Sequence, residues 1–183
     1  MCYYIKLMFS FYKEPVILKK FITDTECEYL INYDKPMEKN TFGIGSEDDI
    51  LSFNKKISKN TPMCKKIINK CSNIIKLPHE HFEDLNVVKY NKGGFIKEHM
   101  DLKPEKNFRL YTFLICLRDT YQGGETEFPN LNLKFKLKKG DALFFMNVDS
   151  SGNMTELSLH EGKVVESGEK WICNIWGHKY PYD

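Results

Sequence analysis

The stretch from Tyr90 to Asp101, Tyr-Asn-Lys-Gly-Gly-Phe-Ile-Lys-Glu-His-Met-Asp, ends in a histidine and an aspartate with one residue between them. On a β-strand, residues two apart point to the same side, so the imidazole of His99 and the carboxylate of Asp101 can reach one metal ion. A second histidine from further along the chain would complete the two-histidine, one-carboxylate set that holds Fe(II) and leaves coordination positions open. By itself His-x-Asp is weak evidence, and a polar surface loop is the alternative.

Beyond Pro78 the chain consists of short β-type runs that are separated by turns such as Gly123-Gly124 and Lys139-Gly140. The predicted strands are Leu85 to Tyr90, Arg109 to Leu117, Thr126 to Phe128, Leu131 to Leu137, Ala142 to Asn147, Leu157 to His160 and Trp171 to Trp176.

The sequence before these strands predicts two helices. The first begins at Thr23, which has capping-box spacing to Glu26, and it ends near Lys35-Pro36. The second begins with Thr61 as N-cap, carries a stripe of apolar residues and ends at Leu77-Pro78. Two helices followed by a series of short strands indicate an α+β protein whose second half is a sandwich or a jelly roll.

A chain of 183 residues suffices for one well-packed core and is too short for two ordinary domains. We therefore expect a single domain over residues 1–183. Residues 1–80 form its helical N-terminal support, with loop and short strands over 38 to 60, and residues 81–183 form the β core.

Charge and cysteine usage narrow the possible partners and compartments. Lys and Arg total 27 against 25 acids, a net charge of +2, which provides no basic field for nucleic acid. The six cysteines fall at no repeated spacing, which favours reduced, buried thiols in a cytoplasmic protein. The first 14 residues are apolar but interrupted by Lys6, and the uninterrupted part, Leu7 to Tyr12, is too short for the apolar region of a signal peptide or for a membrane span. We expect this segment to be a strand or a docked arm.

Further motifs follow His-x-Asp in a specific order. They are Gly123-Gly124-Glu125-Thr126, Leu159-His160, and Lys170-Trp171, which begins ten residues after that histidine. Together with Tyr90, these motifs resemble the prolyl 4-hydroxylase family of 2-oxoglutarate-dependent Fe(II) dioxygenases, over roughly residues 15 to 180. The resemblance implies a double-stranded β-helix, or jelly-roll, core with the N-terminal helices packed on one sheet.

The resemblance also implies a role for each motif residue. His99, Asp101 and His160 would bind Fe(II), leaving positions for 2-oxoglutarate and O2. Lys170 would pair with the far carboxylate of 2-oxoglutarate, with Tyr90 and Thr126 as hydrogen-bond donors, and ascorbate would re-reduce the iron. For each residue alone, ordinary packing is the alternative.

Periodicity gives a separate argument for the last strand. If it runs from Lys170 to His178, then Lys170, Trp176 and His178 share a face, and a lysine that faces an enclosed interior needs an anion. The resemblance implies that Trp176 and His178, with Arg109 and Glu83, contact a substrate peptide.

The chain departs from the family pattern in two places. Ile96 stands where the family usually has a second tyrosine that helps to hold the target proline, and the expected substrate loop is not recognisable in Ser46 to Phe53. The implied function is hydroxylation of prolyl residues, at the 4-position, in a peptide or protein, with decarboxylation of 2-oxoglutarate to succinate. The alternatives are the same chemistry on another side chain, such as lysine, or on nucleic acid, and a catalytically silent jelly-roll binding module.

Overall fold

The computed structural model describes residues 11–40, 49–102 and 107–182. Most of the predicted N-terminal strand or docked arm lies outside these residues. The helices are α1 (Asp24–Ile31) and α2 (Pro62–Ile75). The strands are β1 (Val16–Leu18), β2 (Glu38–Lys39), β3 (Ile50–Leu51), β4 (Phe53–Ile57), β5 (Leu85–Tyr90), β6 (Phe95–His99), β7 (Arg109–Arg118), β8 (Tyr121–Gly123), β9 (Thr126–Phe128), β10 (Leu133–Phe135), β11 (Ala142–Met146), β12 (His160–Gly162), β13 (Val165–Gly168) and β14 (Lys170–His178).

Both helices begin at the predicted caps. The hydroxyl of Thr23 accepts the backbone N–H of Glu26, and the Glu26 carboxylate accepts the backbone N–H of Thr23 at 2.8 Å, which completes the capping box. Helix α1 ends at Ile31, earlier than predicted, because the buried ammonium of Lys55 binds the carbonyls of Ile31 and Tyr33 at 2.8 Å each. Those carbonyls are thereby satisfied without a further turn of helix.

The strands of the described residues form two antiparallel sheets and a short pair. The larger sheet has the order β1-β11-β7-β14-β5-β4-β2, the smaller one β10-β9-β12-β6-β3, and β13 pairs with β8. The predicted α+β jelly-roll fold is confirmed.

Two apolar clusters hold these layers together. One lies between the helices and the larger sheet and includes Leu30, Ile67 and Ile175. The other lies between the two sheets and includes Phe128 and Phe145. The helices therefore cover one face of the larger sheet, and the smaller sheet covers the other.

Local hydrogen bonds explain where the strand predictions were wrong. Leu157 to His160 was predicted as a strand, but Glu156–Ser158 forms a 3-10 turn and β12 starts at His160. The hydroxyl of Thr155 accepts the N–H of Leu157, and the hydroxyl of Ser158 donates to the carbonyl of Thr155. Such side-chain bonds compete with strand pairing.

The predicted strand over Leu131 to Leu137 is shortened to β10, because Asn132 adopts a left-handed conformation with φ 54° after a second 3-10 turn. Strands β1, β6, β8 and β13 were not among the predicted ones.

The described cysteines, Cys27, Cys64, Cys71, Cys116 and Cys173, are free and buried. Neither described helix is long and apolar enough to span a membrane.

Candidate active site

A cavity between the two sheets is lined by residues of both. It contains every residue that the sequence predicted for metal and cosubstrate, namely Tyr90, His99, Asp101, Thr126, His160 and Lys170. Ile96 and Asn174 also line it. The site is therefore enclosed by the jelly roll itself.

His99 and His160 face each other across β6 and β12. They are Cα partners in that pairing, and their ring centroids are 4.3 Å apart. The Oδ1 of Asp101 is 3.8 Å from Nε2 of His99, and its Oδ2 is 3.9 Å from Nε2 of His160. One ligand atom from each residue lies within 4.8 Å of the other two. A single ion can therefore contact all three.

Asp101 does not lie on the same strand as His99. The sequence argument placed both residues on one strand, whereas β6 ends at His99 and Asp101 lies in a bend two residues later. The two side chains converge because the chain turns, and not because of strand alternation. Contacts outside the β6 pairing must therefore hold the Asp101 carboxylate in place.

Backbone carbonyls orient both imidazoles. Nδ1 of His99 is 2.8 Å from the carbonyl of Lys97, and Nδ1 of His160 is 2.9 Å from the carbonyl of Ser158. A carbonyl only accepts, so each Nδ1 carries the proton and each Nε2 presents its lone pair to the cavity. Burial, and then the neighbouring His99, lower the pKa of His160 to about 4, which keeps that ring neutral.

Hydrogen bonds from the larger sheet hold the Asp101 carboxylate. Its Oδ2 accepts the indole N–H of Trp176 at 3.0 Å and the hydroxyl of Thr112 at 2.7 Å. Thr112 in turn accepts the amide of Asn147 at 3.1 Å. Burial raises the pKa of Asp101, but the nearby His160, His99 and Arg109 and the Trp176 hydrogen bond reverse this, and the pKa is lowered.

Sequence reasoning missed Thr112 and Asn147. Thr112 is the Cα partner of Trp176 in the β7–β14 pairing, so both side chains reach Asp101 from adjacent strands. The available signal was a polar residue inside the otherwise apolar β7 run.

Lys170 lies at the start of β14, opposite Tyr90 on β5. It is 4% exposed. Its ammonium donates to the carbonyl of Gly124 at 2.7 Å and lies 5.4 Å from the centre of the Tyr90 ring. Burial lowers the pKa of Lys170 to about 8. The part of the chain that the structure describes offers this ammonium no carboxylate within ion-pair distance.

Both polar and apolar residues line the cavity around Lys170. The side chain of Thr126 is buried at the cavity wall, and burial and the charge of Asp101 raise the pKa of the Tyr90 hydroxyl, which stays a donor. A Cβ on Gly162 would lie 2.9 Å from the Ile96 side chain and 4.0 Å from the Lys170 ammonium, so a larger residue there would force Ile96 to shift. A buried ammonium without a counter-ion fits an anionic ligand.

The predicted substrate residues form one buried cluster beside Asp101. Glu83, Arg109 and His178 are 1%, 3% and 1% exposed, and Trp176 is 5% exposed. Both carboxylate oxygens of Glu83 accept from Arg109, and His178 is 2.7 Å from the same carboxylate. Burial raises the pKa of Glu83, but the hydrogen bonds from His178 and Arg109 lower it to about 2. None of these four residues lines the cavity that holds Lys170.

Two imidazoles and a carboxylate that face one point match the ligand set of non-haem Fe(II) oxygenases. The buried ammonium of Lys170 in the same cavity provides a binding position for the carboxylate of an acidic cosubstrate. Fold and site thus define the class of 2-oxoglutarate-dependent Fe(II) dioxygenases.

Comparisons with known proteins agree. The model of the 2OG-Fe(II) oxygenase superfamily matches residues 85–178. A relative from Acanthamoeba polyphaga mimivirus carries a provisional name as a prolyl 4-hydroxylase. It is 36% identical over 180 residues, and the alignment covers 90% of this chain and 74% of the relative. Prolyl 4-hydroxylase 13 of Arabidopsis thaliana is 28% identical over 195 residues, with coverages of 91% and 71%.

A solved structure is also similar over nearly its whole length. The viral collagen prolyl hydroxylase of Paramecium bursaria Chlorella virus-1, crystallised with 2-oxoglutarate, has a TM-score of 0.74 and 28% identity and covers 92% of this chain and 97% of its own. The chain belongs to the 2OG-Fe(II) oxygenase superfamily and, within it, to the prolyl 4-hydroxylase family. It is a 2-oxoglutarate-dependent dioxygenase, as predicted.

Proposed function

We propose that this enzyme hydroxylates prolyl residues of a peptide or protein, at the 4-position, while 2-oxoglutarate is decarboxylated to succinate. The observation that carries the proposal is the convergence of His99, Asp101 and His160 in one cavity with the buried ammonium of Lys170. The names of the two relatives and of the solved structure described above support the prolyl substrate.

In this proposal each residue has one task. Nε2 of His99, Nε2 of His160 and a carboxylate oxygen of Asp101 hold Fe(II). Lys170 binds the far carboxylate of 2-oxoglutarate, and the hydroxyls of Tyr90 and Thr126 donate hydrogen bonds to it. Bound Fe(II), with O2 as oxidant and ascorbate to restore the reduced metal, supplies the oxidising chemistry. The sheets exclude water, which protects a reactive site from side reactions.

The proposal also covers the substrate contacts and the cellular compartment of the enzyme. Contact of the peptide with Glu83, Arg109, Trp176 and His178 stays a prediction. The net charge of +2 argues against nucleic acid as substrate. The free, buried state of the described cysteines supports a reducing, cytoplasmic compartment.

The test uses alanine variants of the three ligand residues. A panel of proline-rich peptides is incubated with Fe(II), 2-oxoglutarate and ascorbate, and succinate and the gain of one oxygen in the peptide are measured by mass spectrometry. Alanine at His99, Asp101 or His160 should reduce both to the level without enzyme. His79→Ala is the matched control, since His79 binds the carbonyl of Lys59 outside the cavity. Full turnover by any ligand variant would refute the metal assignment.

A second candidate has one observation in its favour. Ile96, which lines the cavity, replaces the tyrosine that the family uses to hold the target proline. The same oxidation could therefore act on another side chain, such as lysine. Peptides with lysine and no proline belong in the same panel, and oxygen found only in these peptides would favour the second candidate.

A further inference from the structure

Three buried side-chain oxygens of the described residues accept no hydrogen bond, namely Oε1 of Glu26, Oε2 of Glu127 and Oδ1 of Asn174. The first two lie 3.3 Å from the ammonium of Lys66 and 3.1 Å from the ammonium of Lys134, so each has an ion-pair partner. The amide of Asn174 carries no charge, and its oxygen lacks such a partner. A buried polar atom in this state is costly, and in a native protein it calls for an explanation.

Asn174 lies in the wall of the active-site cavity. It shares the cavity-facing side of β14 with Lys170, four residues before it, and with Trp176, two residues after it. At a rise of about 3.4 Å per residue, Asn174 is about 14 Å along the strand from Lys170 and about 7 Å from Trp176. Because the indole of Trp176 binds Asp101, the amide is nearer to the proposed metal ligands than to Lys170.

The neighbouring strands do not satisfy this oxygen. The Cα partners of Asn174 are Leu114 on β7, which is apolar, and Asn86 on β5. The oxygen of Asn86 already accepts the side-chain N–H of Asn54 at 3.2 Å. Within the described part of the chain, neither partner gives Oδ1 of Asn174 a hydrogen bond. The partner must therefore come from inside the cavity.

The other polar residues of the cavity already have a partner or a task. Six of them hold the metal and 2-oxoglutarate in the proposed function. Glu161, a seventh, forms a 2.9 Å ion pair with Lys163. Asn174 is the polar side chain of the described lining that remains, and it is one that can still select the substrate.

The chemistry of the reactants indicates what this oxygen accepts. At neutral pH, 2-oxoglutarate carries two carboxylates and a keto group, and O2 carries no hydrogen, so neither molecule has a donor. A peptide has a backbone N–H at each residue other than proline. Water satisfies such an oxygen in a free enzyme, and a peptide N–H takes the place of the water when the substrate binds.

We propose that Oδ1 of Asn174 accepts a backbone N–H of the substrate peptide, from a residue next to the target proline. The proposal rests on the proposed function, because it takes a prolyl peptide as the substrate. Proline has no N–H, so an uninterrupted run of prolines cannot make this contact. The preferred substrate is therefore a proline with non-proline neighbours, and oligoproline is a poor substrate.

The test removes the donor and the acceptor in turn. The parent peptide is a panel peptide that wild-type protein oxidises at a single proline with non-proline neighbours. It is compared with two forms, in which the residue before or the residue after the proline is N-methylated. Each peptide is titrated by calorimetry into wild-type protein, Asn174→Leu and Asn130→Leu, all loaded with Mn(II) and 2-oxoglutarate. Asn130→Leu is the matched control, since the Asn130 amide binds the carbonyl of Glu156 outside the cavity.

In wild-type protein, one of the two N-methylated peptides should bind about tenfold more weakly than the parent, because it leaves the Asn174 oxygen unsatisfied. Asn174→Leu should bind the parent about tenfold more weakly and should lose the discrimination between the peptides. Asn130→Leu should behave like wild type, and the KM for 2-oxoglutarate should be the same in all three proteins. If Asn174→Leu fails to fold, Asn174→Ala takes its place in the same titrations.

Three results would overturn the inference: equal affinity of wild-type protein for the three peptides, discrimination that survives in Asn174→Leu, or oxidation of oligoproline alone. In each of them wild-type protein still oxidises a prolyl peptide, so the proposed function stands and only the role of Asn174 falls. If wild-type protein oxidises no proline-containing peptide of the panel, the proposed function fails, and the inference fails with it.

Discussion

The two faces of strand β14 have opposite character although they share one backbone. On the face toward the helices, Cys173 and Ile175 are fully buried in the apolar cluster that includes Leu30 and Ile67. On the face toward the smaller sheet lie Lys170, Ile172, Asn174, Trp176 and His178, of which the first three line the cavity. Trp176 and His178 hold Asp101 and Glu83.

This difference separates stability from chemistry along a single element. The helix-facing residues contribute by filling space, so a substitution of similar volume preserves their role. The opposite face contributes individual polar atoms at fixed places, which no apolar side chain can replace. Substitutions on the helix-facing side should therefore change mainly the free energy of unfolding, and substitutions on the opposite face should change mainly substrate binding and turnover.

The largest effect is expected at the cavity end of that polar face. Lys170→Ala removes the cationic partner of the 2-oxoglutarate carboxylate, and a hydrogen bond to a charged group contributes about 1.5–3 kcal/mol. The KM for 2-oxoglutarate should rise roughly 10- to 100-fold, and the KM for peptide should change far less. Lys89→Ala is the matched control, since Lys89 pairs with Glu169 and lies opposite Trp171. An unchanged KM for 2-oxoglutarate would remove Lys170 from its proposed role.

A smaller effect is expected from pH. The pKa of Lys170 is lowered to about 8 from an ordinary value of 10.5 because the ammonium is buried. The anionic cosubstrate binds the protonated form, so its affinity should fall about tenfold per pH unit above pH 8. Calorimetric titration of 2-oxoglutarate into protein loaded with Mn(II), between pH 7 and 9.5, measures this. An affinity that stays constant over that range would contradict the prediction.

The same pKa predicts that the stability of the unliganded protein rises with pH, whereas the affinity for 2-oxoglutarate falls. Between pH 8 and 10.5 the unfolded chain retains the proton on Lys170 and the folded chain loses it, so the Lys170 contribution to the free energy of unfolding rises with pH. Lys170→Met has no titrating group at this position and should lack both trends. Urea unfolding of both proteins at pH 7.5 and 9.5 measures the difference.

The sequence predicted what depends on neighbours along the chain. Helix caps at Thr23 and Thr61 follow from local hydrogen-bonding chemistry. The resemblance to the prolyl 4-hydroxylase family, carried by the motifs from Tyr90 to Lys170, predicted that the residues of the cavity lie together. The alternation of β14 required only a two-residue period.

What the sequence could not predict depends on register between distant strands. Thr112 reaches Asp101 only because it pairs with Trp176, and the β7–β14 pairing shifts register between Trp171 and Ile172 and again between Gly177 and His178. Such irregularities have no signature in the pattern of apolar and polar residues. Strand β6 was not among the predicted strands, although the His-x-Asp argument assumed a strand there, because its residues Lys97 and Glu98 are exposed and remove the apolar alternation of a half-buried strand.

The smallest expected effect compares the same substitution on the two faces. Ile175→Val and Ile172→Val each remove one buried methylene group, from the helix-facing and the cavity-facing side of β14. Each should lower the free energy of unfolding by about 0.5–1.5 kcal/mol, measured by urea denaturation. The two variants should differ in kinetics, because Ile172 lines the cavity and Ile175 does not. The KM for 2-oxoglutarate should change in Ile172→Val and stay at the wild-type value in Ile175→Val. Equal changes in both variants would mean that packing is transmitted through the strand, and that stability and chemistry are not separated by its two faces.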